Sequence, residues 1–345
     1  MDSTKKIFYL LLTVAILLAL IYGQSLLIPF ILAVLFWFLI RVVKRIIHKT
    51  RITKKWPDWL MTAISTIFIL GMISLAGNLI SSNIQELSRS MPQYEVNISK
   101  ISTLINERLN INLVDEIKEL TGQMEFGGIL GAIFNAIKGL IGNGFTILLY
   151  LIFLLLEESV FQIKLHAIYK DPKRLKHIND LLHAIDDSVS NYIALKTFVS
   201  LLTGALSYIA LLFIGVDAPF FWAFLIFLLN YIPTIGSLVA TIFPAIFAML
   251  QFGDLTPAIL VLSIVGGIQL VIGNYVDPRL MGSSLNISTL VVFLTLLLWG
   301  MIWGVIGMLL SVPITVIMIL ILSEFPNGKP VAIMLSKRGQ LKKIN

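Results

Sequence analysis

The sequence predicts an all-α, polytopic transmembrane protein, and three observations carry that prediction. Of 345 residues, 57% are hydrophobic and only 13% are charged, about half the charge of an ordinary soluble domain. Apolar runs recur at lengths near the roughly 20 residues that cross a hydrocarbon core. Basic residues cluster beside those runs: seven Lys/Arg lie between Arg41 and Lys55, and five between Lys329 and Lys343. A soluble domain of this length could not bury so much apolar surface in one core. Lipid removes the need, and within it helices satisfy their own backbone groups.

The elements follow in order. Lys5 and Lys6 precede an apolar run over 7–22. Tyr22-Gly23-Gln24-Ser25 is a poor cleavage site and a second run begins at once, so 7–22 is read as an uncleaved first helix. Further spans are expected at 26–43 and 59–80, completing an N-terminal block of three helices over 1–80. A hydrophilic segment over 81–138 separates these from a fourth span over 139–157. A second hydrophilic segment, 158–195, precedes a C-terminal core over 196–323, and a basic tail over 324–345 ends the chain. From 197 to 323 there are only four charged residues, Asp217, Asp254, Asp277 and Arg279, so Gly and Pro must supply the divisions of the core.

Counting Lys and Arg orients the chain. With Lys5 and Lys6 cytoplasmic, the Arg41 to Lys55 cluster falls inside after two crossings. Segment 81–138, with five basic and seven acidic residues, falls outside; 157–196, with six Lys/Arg, returns inside. Both termini are expected in the cytoplasm of a plasma or inner membrane. The net charge of +7 is an orientation signal and not a nucleic-acid footprint, since no recognition fold accompanies it. The absence of cysteine excludes disulfides, thiol catalysis and thiolate metal sites.

The two hydrophilic segments read as helical. In the cytoplasmic one, Leu175, Ile178, Leu182, Ile185, Val189 and Tyr192 repeat in steps of three and four, a narrow seam. The seam serves either packing on its own subunit or a contact between subunits, for which Ile178, Leu182, Ile185 and Val189 are the candidates. His177 and His183 do not share a helical face, so no metal site is expected. In the external segment, Ile98, Ile101, Ile105 and Leu109 form one stripe, and Leu113, Ile117 and Leu120 continue it.

Two apolar stretches of the core are broken. Residues 218–251 are interrupted at 231–236, and 288–322 at 300–304, with Pro313 beyond. Residues 218–230, as a helix of about 20 Å, fall short of the roughly 30 Å core. Each hairpin is therefore either re-entrant or a pair of tilted, kinked spans. Short Gly/Pro-interrupted segments of opposite orientation point to a transport site, because a helix break frees backbone dipoles that lipid cannot satisfy. The pathway candidates are Asn230, Pro233, Thr234, Gly236, Gln269, Asn274, Asp277, Gly300, Gly304, Gly307 and Pro313. The polar ones could equally form helix–helix hydrogen bonds. Asp277 and Arg279 flank Pro278 in an expected polar linker over 274–284, as an interfacial turn or a gate. No ionisable group is placed at midmembrane, so ion coupling is not visible. No H-E-x-x-H or G-x-S-x-G motif occurs and all four histidines lie in hydrophilic segments, so neither an enzyme nor a cofactor is expected.

Phe227-Leu228-Leu229-Asn230-Tyr231-Ile232-Pro233-Thr234-Ile235-Gly236 resembles the N-[FY]-[IV]-P-x-[IVL]-G signature of the autoinducer-2 exporter (AI-2E) family of permeases. Asn274-Tyr275-Val276-Asp277-Pro278-Arg279-Leu280-Met281-Gly282-Ser283-Ser284-Leu285 and Trp299-Gly300-Met301-Ile302-Trp303-Gly304, running on to Pro313, are similar to its second and third blocks. Asp277 stands where many relatives carry Thr or Val. The resemblance implies a membrane permease assembled as a homo-oligomer, a pentamer. It implies a small polar solute such as autoinducer-2, or a monovalent cation in sodium(lithium)/proton antiport, for which Asp277, Asp217 and Asp254 are the carboxylates available. A non-transporting oligomeric scaffold in the bilayer is the third reading.

Overall fold

The computed structural model describes residues 3–49, 56–109, 142–281, 287–337 and 339. The regular elements among them are helices. Helices α1 (Ser3–Tyr22) and α2 (Gln24–His48) are divided by Gly23 alone; α3 is Asp58–Leu109 and α4 Gly144–Ile168. Helix α5 (Pro172–Ile214) leads into α6 (Pro219–Leu229), α7 (Ile235–Phe252) and α8 (Leu255–Val271). A π-helical turn over Ile272–Val276 joins α8 to α9 (Asp277–Met281), and α10 (Thr289–Glu324) and α11 (Lys329–Leu335) follow. Among the described residues, seven helices are long and apolar enough to cross a membrane. The chain is a multi-pass membrane protein.

Several elements run further than their polarity suggested. Helix α3 continues 52 residues without a stop, so the boundary expected at residue 80 falls inside it. No glycine lies between Gly77 and Leu109 and the chain passes through Pro92 in helix; polarity changes there, but backbone propensity does not. The stripe Ile98, Ile101, Ile105 and Leu109 lies on this helix, while Leu113, Ile117 and Leu120 lie outside the described residues. Helix α4 starts at Gly144 and extends to Ile168, well past residue 157. The seam and the following span are one 43-residue helix, α5, with no break at residue 195. The expected linker over 274–284 is helical as far as Met281, because Pro278 sits in the first turn of α9, where its missing N–H costs nothing.

The helices sort into two compact units, one of Met1–Ile69, Asn143–Leu195 and Met281–Asn345, the other of Leu70–Gly142 and Lys196–Leu280. The first has three apolar centres. Phe38, Val189, Tyr192, Val316 and Leu320 form one; Ala33, Ile40, Ile147 and Leu151 a second; Trp299, Trp303 and Leu310 a third. The Trp303 indole N–H donates to the Leu20 carbonyl at 3.0 Å, satisfying one of the orphan carbonyls that end α1. Arg41 and Arg45 reach Asp186 at 3.1 and 3.6 Å, and Arg41 also faces Glu158; two residues of the orientation cluster thus fasten α2 to α4 and α5. The second unit is built on Phe221, Trp222 and Phe247, each at most 1% exposed, with Leu211, Val261 and Val265 around them.

Candidate functional site

The second unit presents the first broken hairpin, and local chemistry explains its shape. Helix α5 ends on Gly215, where Val216 N–H bonds back to the Leu211 carbonyl and Gly215 N–H to Leu212, the glycine C-terminal lock of a helix. Pro219 then opens α6 at a position that needs no N–H. Helix α6 has 11 residues, about 16 Å of rise. Beyond Leu229 the chain tightens through Ile232, whose N–H bonds to the Leu229 carbonyl at 2.9 Å. Thr234 forms the apex at φ 59°, ψ −56°, and Ile235 N–H bonds to the Pro233 carbonyl across it at 2.6 Å. This is a γ-turn of the rare, strained hand on a β-branched residue.

The return arm passes against the outgoing one. A Cβ on Gly236 would stand 1.8 Å from the Leu229 carbonyl oxygen, so only glycine permits the approach. The hairpin packs on a polar stripe of α5 formed by Lys196, Ser200, Thr203 and Ser207, each no more than 6% exposed. Gly204 lies in the same stripe and admits the α6 backbone, with the Ala223 oxygen 3.1 Å from where its Cβ would be. The Asn230 amide donates to Ser200 Oγ at 3.2 Å and reaches Thr203 Oγ1 at 3.4 Å. The Tyr231 hydroxyl and Thr197 Oγ1 are 2.6 Å apart. A run of hydroxyls and amides therefore lines the contact between α5 and the hairpin tip.

Lys196 ends that stripe. Its side chain is 8% exposed and its Nζ lies 2.9 Å from Asp277 Oδ2. Asp277 follows the π-helical turn that holds Asn274, a form often found at functional sites. Asp277 Oδ1, Ser207 Oγ and Gln269 Nε2 are three of the six buried side-chain atoms that have no hydrogen-bond partner among the described residues. Gln269 is 6% exposed, whereas Asn274 is exposed.

At the base of the same hairpin, α3 forms a clasp. The Tyr94 hydroxyl donates to Asp217 Oδ2 at 2.7 Å, and the Asn97 amide donates to the carbonyls of Leu250 and Gln251. The Gln251 side chain accepts from Asp217 N–H and donates to the Gly215 carbonyl. Burial first, then the bond to Asp217, pushes the Tyr94 pKa up, so its hydroxyl remains a donor well above neutral pH. Asp254 caps α8 through Thr256 N–H. All three carboxylates that a cation could use thus have partners: Asp217 in the clasp, Asp254 in the cap, Asp277 with Lys196.

The first unit holds the second hairpin. Within α10 only Gly304 leaves helical geometry, at φ 62°, ψ −143°, a region essentially reserved for glycine. The chain folds back there: a Cβ on Gly307 would stand 1.9 Å from the Trp299 carbonyl oxygen, and Gly300 packs on Met308. Pro313 is buried in the return arm. In this unit His177 Nε2 lies 2.6 Å from Glu324 Oε2.

Of the sequence-derived candidates, Asn230, Pro233, Thr234 and Gly236 meet in one tip, and Gly300, Gly304 and Gly307 in the other. Lys196, Ser200, Thr203 and Ser207 were missed. Their signal is present, as polar residues at helical steps within an apolar run, but the charge of Lys196, at the first position of the core, counts with the basic residues of the hydrophilic segment before it.

The family model described as AI-2E family transporter matches residues 10–327. The AI-2 transport protein TqsA of Escherichia coli (strain K12) is 33% identical over 97% of this chain and 96% of its own length. A putative transport protein of Haemophilus influenzae is 31% identical over 97% of this chain and 98% of its own. The putative transport protein YhhT of Escherichia coli (strain K12) is 30% identical over 80% of this chain and 78% of its own. The chain is thus a membrane transporter belonging to the AI-2E family.

Proposed function

We propose that this permease exports a small, uncharged, hydroxyl-bearing solute, with the autoinducer-2 signal the first candidate. The observation that carries this reading is the neutral stripe of Ser200, Thr203, Asn230, Thr197 and Tyr231 at the tip of the first hairpin. Hydroxyls and amides can exchange bonds with a polyol at little electrostatic cost, whereas a bare cation would need a carboxylate. The ion pair at the end of the stripe is internally neutral, since Lys196 faces Asp277. The naming of a relative that matches nearly end to end as an AI-2 transport protein supports the same choice.

In this reading Asn230, Pro233, Thr234, Gly236, Gln269, Asn274 and Asp277 belong to the solute pathway of one unit, and Gly300, Gly304, Gly307 and Pro313 shape that of the other. Helix α6 is too short for a roughly 30 Å core, which favours a re-entrant hairpin. Both termini and α11 face the cytoplasm, and the extension of α3 faces outward. The protein works without catalysis, as a homo-oligomer, with five subunits the family expectation.

The test is flux from proteoliposomes loaded with labelled autoinducer-2 or a small polyol. Asn230→Ala and a Ser200→Ala/Thr203→Val pair should lower efflux about tenfold while the purified protein still assembles, the loss expected for about 1.4 kcal/mol of solute contact. Unaltered efflux in both would remove the stripe from the pathway. Sodium-driven proton movement that disappears in Asp277→Asn would instead establish antiport.

A further inference from the structure

We propose that Lys196 is a tethered cation that occupies the place of a dissolved monovalent cation at Asp277, so that removing its charge uncovers a sodium or lithium site. The inference goes beyond the solute reading and does not depend on it.

Charge and burial carry the argument. Asp277 lies at the end of the apolar run formed by α8 and the π-helical turn, and Lys196 at the start of the apolar part of α5. A carboxylate drawn partly out of water there must be neutralised by a proton, a metal cation or a fixed positive group. Here the ammonium supplies the charge from 2.9 Å, on a side chain 8% exposed. Lysine suits the role better than arginine, because its ammonium is a compact point charge of unit valence, the closest side-chain analogue of an alkali ion.

The second observation is the unspent capacity of the carboxylate. Asp277 Oδ2 takes the ammonium, while buried Oδ1 has no partner among the described residues. An ion pair that served stability alone gains most when hydrogen bonds satisfy its remaining lone pairs. This pair leaves one carboxylate oxygen open beside the fixed cation. Alkali ions bind through oxygen, and the carboxylate offers both of its own once the ammonium is gone. In the native chain the fixed ammonium keeps the position filled at every sodium concentration, so assembly and opening of this region do not follow the sodium gradient.

Thermal unfolding of the full-length protein in detergent tests this, comparing sodium, lithium and choline chlorides at one ionic strength. The native protein should melt at the same temperature in all three salts. Lys196→Met should melt about 2 °C higher in sodium or lithium than in choline when the ion is in roughly tenfold excess over its dissociation constant, and Lys196→Met/Asp277→Asn should lose that difference. If Lys196→Met does not fold in choline, the yield of monodisperse protein replaces the melt, and recovery in sodium or lithium alone supports the site. A native protein stabilised specifically by sodium through Asp277 overturns the proposal. So does a Lys196→Met variant that behaves alike in every salt, including one that fails to fold in all of them, because a purely structural ion pair gives no preference for sodium over choline. None of these outcomes depends on whether a polyol is exported.

Discussion

Gly236 lies against the carbonyl of Leu229 so closely that a Cβ would stand 1.8 Å from its oxygen. The relation recurs in the other unit between Gly307 and Trp299, at 1.9 Å. In both hairpins a glycine of the return arm meets the last carbonyls of the outgoing arm across an apex of unusual backbone, Thr234 in one and Gly304 in the other. Direct backbone packing of this kind is how helices associate where lipid offers no hydrophobic drive.

Gly236→Ala and Gly307→Ala should each destabilise the protein by about 3 kcal/mol, the upper range for overpacking, because the obstacle is backbone and not a movable side chain. Gly267→Ala is the control: nothing lies within 4 Å of its Cβ position, and alanine favours its helix by about 0.5–1 kcal/mol. Melting of the detergent-solubilised variants checks the contrast. Equal melting of all three would remove the close approach as a structural requirement.

Thr234 tests the apex. Thr234→Val keeps the β-branch at φ 59° and loses the hydroxyl bond to the Pro233 carbonyl, so it should melt lower, by about 1 kcal/mol. Thr234→Gly also loses the bond but releases strain of about 1–3 kcal/mol, so it should match or exceed the native protein. If valine is the more stable of the two, the apex is not strained.

The spans, both breaks and the seam were legible in the sequence because each is written in apolar periodicity or in Gly and Pro. The glycine-to-carbonyl contact that the two hairpins share was not. Gly236 contacts the residue seven positions before it and Gly307 the residue eight before, and the following prolines, Pro244 and Pro313, lie eight and six residues on. Such offsets erase sequence similarity while the contact persists. Lys196 was illegible for another reason. A charge at the edge of an apolar run looks like the end of a solvated helix, and only its pairing with Asp277, 81 residues away, shows it to be interior. The ends of α3 and α4 were not legible because polarity marks where lipid stops, not where a helix does.

The clasp at Tyr94 gives a prediction in pH. Tyr94→Phe deletes a bond to a carboxylate and should cost about 1.5–3 kcal/mol. The Tyr94 pKa is raised in the folded state, so its contribution is complete below the ordinary tyrosine value of about 10 and declines as pH rises beyond it. The native protein should therefore lose stability above that pH more steeply than Tyr94→Phe. Parallel curves would mean that the hydroxyl is not held by Asp217.

The seam on α5 can be divided by what already covers it. Val189 is 1% exposed in the core with Phe38, Tyr192 and Val316, and Ile185 packs on the same cluster. Ile178 and Leu182, further toward the start of α5, are only half-buried. Aspartate at Ile185 would place a charge against the subunit's own core, so any loss of assembly there would follow from loss of the fold, by about 2 kcal/mol or more. Ile178→Asp and Leu182→Asp put the same charge where the subunit does not need the site. If the seam joins subunits, both variants should shift the oligomer toward smaller species in native mass spectrometry while melting within about 0.5 kcal/mol of the native protein. An unchanged oligomer would confine the seam to its own subunit, and assembly would have to run through another surface.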